Sequence, residues 1–251
     1  MADRDEIVEF IDGYLNSRNI SDISMNGLQI EGKKEVRKIA FGVSASLACM
    51  RKACDSGADM LVTHHGILWG KSSRITGAYK DKLEFAFGKA LSLASWHLPL
   101  DIHGVVGNNA RLLAMLGGTG QEPFGRYHGQ LIGVKGKFAE PVSVDHVAET
   151  LKAGLDASPL CFSFGKEKIN TVGIVSGGAA DILEEAVSER LDLYLTGAAE
   201  EYSQETARDN KINFIAAGHY NSEKTGVKAL AELVAGEFSV ETFFADVPNP
   251  V

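Results

Sequence analysis

Cysteine is scarce in this sequence, and its placement excludes most of its chemistry. Cys49, Cys54 and Cys161 form no Cys-x-x-Cys pair, and an odd count of 3 leaves no closed disulfide framework. We read all three as small packing residues. Positive charge is short as well: Lys and Arg total 25 against 33 Asp and Glu, for a formal net charge of −8, and no Lys/Arg run stands out. Such a chain has no long-range attraction for nucleic acid or for an anionic membrane surface. Long apolar runs are missing too, since no stretch approaches the ~18 residues of a membrane span. The opening Met1-Ala2-Asp3-Arg4-Asp5-Glu6 lacks the basic-then-apolar pattern of a secretion signal. The expectation is a cytoplasmic protein with neither a membrane nor a nucleic-acid partner.

What is there is an ordinary globular composition, with 45% hydrophobic and 23% charged residues in a chain of 251. That length suits one large domain or two small α/β lobes. Residues 5–18 place Ile7, Val8, Ile11, Tyr14 and Leu15 at helical spacing. Residues 38–44 carry a short buried strand, Ser46 can cap a helix running to about residue 56, and Gly57 ends it. A second strand over 59–63 delivers the chain into His64-His65-Gly66. After an insertion at 69–78 and a helix at 80–91, a strand at 92–96 opens into His97-Leu98-Pro99-Leu100-Asp101. The second half follows the same plan. Strands at 171–175, 192–196 and 213–217 alternate with helices at 181–189, 200–209 and 221–235, and the last strand leads to Gly218-His219.

Aligning the halves sets Asp59-Met60-Leu61-Val62-Thr63 against Asp192-Leu193-Tyr194-Leu195-Thr196, and His97 with Asp101 against His219 with Glu223. Matched His-x-x-x-acid pairs favour an internal duplication. The fold expected is therefore α/β, with two similar lobes of mainly parallel sheet covered by helices. Its boundary falls near residue 125, giving lobes 1–125 and 126–251. A strand at 129–134 and a Ser- or Asp-capped helix at 143–155 open the second lobe. The site belongs between the lobes, at the carboxyl ends of strands.

Those strand ends hold the chemistry. His64, His65, Asp101, His219 and Glu223, with His97 nearby, form an imidazole and carboxylate set suited to Zn, Mn or Fe rather than to Mg or Ca. This is more than one catalytic ion uses, and a carboxylate such as Glu223 can bridge a second ion. Adjacent residues on an extended chain point apart, so His64 and His65 are expected to serve different ions. The four-residue spacing of His219 and Glu223 suits one side of a helical turn. His128 and His146 are read as ordinary histidines, and His103 is left open as a neighbour of the site or of the substrate. Ser176-Gly177-Gly178 lacks the Lys-Ser/Thr of a phosphate loop and is read as a plain turn. Asn26-Gly27-Leu28-Gln29-Ile30 is read as a loop.

These motifs, together with Gly107-Asn108-Asn109, Gly218-His219-Tyr220-Asn221-Ser222-Glu223 and the closing Pro248-Asn249-Pro250-Val251, resemble the Nif-three-like family, often labelled GTP cyclohydrolase I type 2 homologues. The resemblance implies a toroidal homohexamer of two-lobed subunits, each with a dinuclear centre. Its metal ligands fall on His64, His65, Asp101, His219 and Glu223, with His97 as an added partner or a neighbour that orients a ligand or shuttles a proton. In many relatives an acid and a later histidine follow Thr-Gly in the second half, where this chain has Thr196-Gly197-Ala198-Ala199-Glu200-Glu201-Tyr202.

The cyclohydrolase label does not fix a substrate. Two divalent transition-metal ions would bring more positive charge than Asp101, Glu223 and one hydroxide remove, which favours a small anionic substrate such as a nucleotide or phosphoester. The expected activity is metal-dependent hydrolysis by an activated water. The rival expectation is a metal-binding, storage or chaperone protein without turnover.

Overall fold

The computed structural model describes every residue of the chain except Ser72, which lies in the insertion at 69–78 and outside the described residues. The chain divides into two compact α/β units. One comprises Met1–Leu100 with Val227–Val247, and the other Asp101–Gly226 with Pro248–Val251.

The first unit is built on a five-stranded sheet in the order Glu241–Phe244, Lys38–Ser44, Met60–His65, Ser92–Ser95, Gly27–Ile30. The first four run parallel, and Gly27–Ile30 closes the far edge antiparallel. Continuous apolar runs are what a parallel sheet covered on both faces requires. Ile39-Ala40-Phe41 and Met60-Leu61-Val62 are accordingly all buried. On one face Ala40, Leu61 and Leu93 join Met50 and Ala53 of the helix Leu47–Asp55 in a common core. That helix starts where expected: the Ser46 hydroxyl accepts from the Cys49 amide at 3.1 Å. The helix Arg4–Tyr14 buries Ile7 and Ile11, one stripe of its surface.

The second unit carries a six-stranded sheet in the order Gly118–Tyr127, Gln130–Ser143, Lys168–Val175, Leu193–Thr196, Asn213–Ala216, Leu160–Ser163. Its three middle strands, Lys168–Val175 to Asn213–Ala216, are parallel. This is the expected parallel core, extended on both sides by antiparallel strands. A core of Leu112, Val147, Leu151, Val172, Ile174, Leu193 and Ile215 lies on it.

The boundary near residue 125 is corrected. That region is the middle of a hairpin, where Phe124 pairs Gly133 and Tyr127 pairs Gln130, so cutting it would break a continuous ladder. The first unit also takes in Val227–Val247, because Glu241–Phe244 pairs in parallel with Lys38–Ser44. The segment 27–30, read as a loop, is the antiparallel edge strand, its short length and Gly27 having hidden the alternation.

Internal repetition is visible in detail. Asp59 accepts from the Arg37 amide and pairs with Lys33 at 2.6 Å; Asp192 accepts from the Asn170 amide and pairs with Lys166 at 2.7 Å. The two pairs have the same sequence separation, and Ile39 opposite Met60 has the same offset as Val172 opposite Leu193. Each aspartate starts the second strand of its repeat and satisfies backbone N–H groups at the mouth of the crossover.

Candidate metal centre

In the first unit the strand Met60–His65 ends on its two histidines, and the helix Leu98–Ile102 begins just past His97. His64 is fully buried, and its Nδ1 lies 3.1 Å from the Trp96 carbonyl oxygen. Donation to a carbonyl places the proton on Nδ1 and makes Nε2 the basic nitrogen. His65 Nδ1 lies 3.1 Å from the Ser44 hydroxyl on the neighbouring strand. His97 Nδ1 faces Asp22 Oδ1 at 3.0 Å, while its backbone amide donates to Asn26 Oδ1 at 2.8 Å.

The three rings gather closely. His64 and His65 have centroids 4.7 Å apart, and His97 lies 5.0 Å from the first and 5.5 Å from the second. One donor atom from each of the three lies within 4.8 Å of the others, close enough for a common ion. His64 and His65 thus lie close together, and their closeness is compatible with one ion or with two. They occupy the last positions of the strand, with His65 still paired opposite Ser44.

Asp22 is the organiser that sequence reading missed. Its carboxylate also accepts from the Leu98 amide at 2.9 Å, the Ser24 amide at 3.0 Å and Asn26 Nδ2 at 3.1 Å. Burial pushes its carboxyl up, but the hydrogen bond and charge of His97, with the Ser24 and Asn26 donors, outweigh this and hold the pKa at about 2.

The second unit holds the acidic candidates. His219 opens the helix His219–Glu237, and one turn later Glu223 brings Oε1 to 3.1 Å from His219 Nε2. Glu223 is buried and His219 partly exposed. Gly177, at φ +72°, lies directly against them: a Cβ there would meet Glu223 Oε1 at 2.5 Å and His219 Nε2 at 3.4 Å. Asp101, buried, accepts from Asn108 Nδ2 at 2.8 Å and from the Ser176 hydroxyl at 3.0 Å. Asn109 donates to the Asp101 and Ile132 carbonyls and accepts from the Ser176 amide at 2.7 Å. Asn108 Oδ1 accepts from the Gly226 amide at 2.7 Å. The two asparagines of Gly107-Asn108-Asn109 thus tie Asp101 to the turn at Ser176 and to the first turns of the Glu223 helix.

That turn is not an anion cradle, which agrees with reading it as a plain turn. The amides of Ser176, Gly177 and Ala179 are already donated, to Asn109, Ser222 and Thr196 respectively. Gly197, the counterpart of His64 in the repeat, has no room for a side chain: a Cβ would lie 2.6 Å from the Gly177 carbonyl oxygen and 2.7 Å from the Ser222 hydroxyl. Glu200, further along that stretch, forms a capping box with Ser203 at the start of the helix Glu201–Asn210. His103 Nδ1 accepts from the Val105 and Val106 amides at 3.2 Å, a turn-forming role. His128 sits in the hairpin turn at φ +46°, and His146 in the first turn of Val144–Leu155.

The family profile described as Duf34/NIF3 (NGG1p interacting factor 3) matches residues 2–250. The chain belongs to the Duf34/NIF3 family. A relative from Pyrococcus abyssi, named GTP cyclohydrolase 1 type 2 homolog, is 43% identical over 248 residues, 98% of this chain and 99% of its own length. A relative of the same name from Escherichia coli (strain K12) is 37% identical over 250 residues, 98% of each chain. The crystal structure of TTHA1606 from Thermus thermophilus superposes with a TM-score of 0.92 at 37% identity, covering 100% of both chains. In this NIF3 chain the histidine and glutamate groups are ones that can bind a metal, and no helix of the described residues is long and apolar enough to cross a membrane.

Proposed function

We propose that this protein is a dinuclear-metal-dependent hydrolase of a small anionic substrate, nucleotide or phosphoester in character, with His64, His65, Asp101, His219 and Glu223 holding two divalent transition-metal ions. One observation carries the reading. Every one of these side chains has a neighbour that fixes it: Trp96 for His64, Ser44 for His65, Asn108 and Ser176 for Asp101, and Gly177 packed against His219 and Glu223. Ligands of a catalytic ion need this external orientation. The donor set also fits the group, since imidazole nitrogens with two carboxylates suit Fe, Zn or Mn.

When bound, such ions polarise the bond under attack and make water a nucleophile near neutral pH. The chain's own residues supply the rest. Asp22 orients His97 through Nδ1, so Nε2 is where His97 takes up or delivers a proton. Asp101 and Glu223 would supply the negative charge of the metal site, and two divalent ions held there would leave a positive remainder suited to an anionic substrate. The name GTP cyclohydrolase 1 type 2 homolog carried by the relatives supports a nucleotide-like substrate. Assembly as a toroidal homohexamer in the cytoplasm is part of the proposal, and light scattering tests its oligomeric part.

The deciding experiment is elemental analysis of protein purified without chelator, beside a hydrolysis panel of nucleotides, phosphoesters and cyclic amides. About two transition-metal ions per chain are expected, with metal content and hydrolysis both lost in Glu223→Ala. Retained metal with a silent panel would instead identify a storage or chaperone protein, and metal-free protein that hydrolyses the panel would remove the proposed centre.

A further inference from the structure

Beside the three histidines the first unit holds a cavity of about 320 Å³, lined by Met25, Leu68, Trp69, Ile75 and Tyr79, with Lys71 also on its wall. Nothing in the metal chemistry uses it. Trp69 belongs to both places: its ring is 5.2 Å from His97 in a T-shaped contact and 6.0 Å from His65, and it also lines the cavity.

The wall next to the histidines is built rather than incidental. Gln29 Oε1 accepts from the Ile67 and Leu68 amides at 2.7 and 3.1 Å, and its Nε2 donates to the Met25 carbonyl at 2.8 Å. One amide therefore clasps both sides. The Met25 amide donates to the Leu68 carbonyl, the Gly70 amide to the Ile23 carbonyl, and the Trp69 indole N–H to the Gly66 carbonyl at 3.1 Å. Preorganisation of this kind is what a binding site needs and a surface crease does not. Meanwhile Met25 and Ile75 stay 58% and 63% exposed, although both are large and apolar.

We propose that this cavity seats the flat heteroaromatic ring of the substrate, with Trp69 as the specificity-determining residue. An indole, a phenol and a thioether are surfaces that favour aromatic faces and edges over aliphatic chains. The volume sits at the low end for ligand sites, enough for a ring system and not for a large ligand. Lys71 supplies a positive charge at the same wall, suited to an anionic substituent. With the ring held against Trp69, the remainder of the molecule reaches the histidines, so the substrate class is a ring-bearing phosphoester such as a nucleoside monophosphate. The assignment of the reacting end rests on the hydrolase reading; the ring seat does not.

The test is calorimetric titration of chelator-treated, full-length protein with adenosine 5′-monophosphate, uridine 5′-monophosphate and ribose 5-phosphate, and of Trp69→Ala and Trp69→Phe variants. Intrinsic fluorescence is read in parallel. At least one nucleotide is expected to bind and quench the indole emission, with affinity about tenfold or more weaker in Trp69→Ala and largely restored in Trp69→Phe. Ribose 5-phosphate binding should not change with Trp69. No nucleotide binding at millimolar concentration, or equal affinity in wild type and Trp69→Ala, overturns the ring seat. Because the protein is metal-free, loss of the proposed metal centre would leave this result standing.

Discussion

Asp22 Oδ1 lies 3.0 Å from His97 Nδ1, with the carboxylate side chain only 1% exposed. Its four donors fix the loop that presents His97, so this contact has a measurable signature in acid. The folded carboxyl titrates at about 2, against 3.8 for the free group. A depressed folded pKa means that the stabilisation is complete above pH 3.8 and fades as pH falls through about 2. Its size is about 2 kcal/mol. Asp22→Asn should therefore be less stable than wild type by roughly this amount at pH 7, and the gap should close as the pH falls to about 2. Urea unfolding at pH 7, 4 and 2.5 reads it, and a gap independent of pH would mean that the carboxylate charge does not contribute.

Gly177 tests the His219–Glu223 pair without altering either side chain. An alanine Cβ would meet Glu223 Oε1 at 2.5 Å, and the backbone stands at φ +72°, where side chains are strained. One of the two must shift, and Glu223 is buried, so the carboxylate cannot simply swing out into solvent. Gly177→Ala should cost about 1–3 kcal/mol of stability and lower the metal content of chelator-free preparations, while circular dichroism stays that of the folded protein. Full metal content in the folded variant would show that Glu223 tolerates displacement and that Gly177 is not needed to place it.

What sequence could reveal tracks how local each cause is. The buried runs of residues 38–44 and 59–63 and the Ser46 cap act within a few residues, and the structure places these elements as expected. His64, His65 and His97 were singled out because strand ends are where parallel sheets collect ligands, and their donor atoms lie within 4.8 Å of one another. Asp22 and Gln29 were not, because each acts across a long gap in sequence, Asp22 on His97 and Gln29 on Ile67 and Leu68. A buried aspartate in a polar loop looks like any surface residue until its amide donors are seen. The lobe boundary failed for a related reason: strand Glu241–Phe244 returns to Lys38–Ser44, a pairing that no local pattern encodes.

The repeated Lys–Asp pairs separate charge from hydrogen bonding. Lys33 and Lys166 have side chains 52% and 70% exposed, whereas those of Asp59 and Asp192 are 11% and 5% exposed. Burial pushes both carboxyls up, but the lysine hydrogen bonds and the donated backbone amides hold them below their ordinary value. Exposed ion pairs are worth under about 1 kcal/mol, whereas hydrogen bonds accepted by a charged, buried carboxylate are worth about 1.5–3 kcal/mol each. Lys33→Met and Lys166→Met should each shift stability by less than about 1 kcal/mol, and Asp59→Ala and Asp192→Ala by about 2 kcal/mol or more. Denaturant titration of the four variants decides it. Equal losses from lysine and aspartate would make the charge pair, not the amide acceptor, the repeated device.

Cys49 is buried between its helix and the Ala245 carbonyl, 3.9 Å from its sulfur. It is 1% exposed, and burial pushes its thiol up to about 11 against a weaker opposing pull from Lys52. The folded state keeps the proton in a range where the unfolded chain, titrating near 9, gives it up. Its contribution is therefore full below pH 9 and declines as pH rises towards 11. The thiolate is the reacting form, so at pH 8 Cys49 has almost none to offer and little access besides. Cys54 and Cys161 are raised by burial too, but both are partly exposed. Iodoacetamide at pH 8 followed by peptide mass analysis should label Cys54 and Cys161 first, leaving Cys49 protected until denaturant is added. Labelling of Cys49 at the rate of Cys161 in the folded protein would mean that the strand Lys38–Ser44 and the helix Leu47–Asp55 open readily, and that this core is looser than its packing indicates.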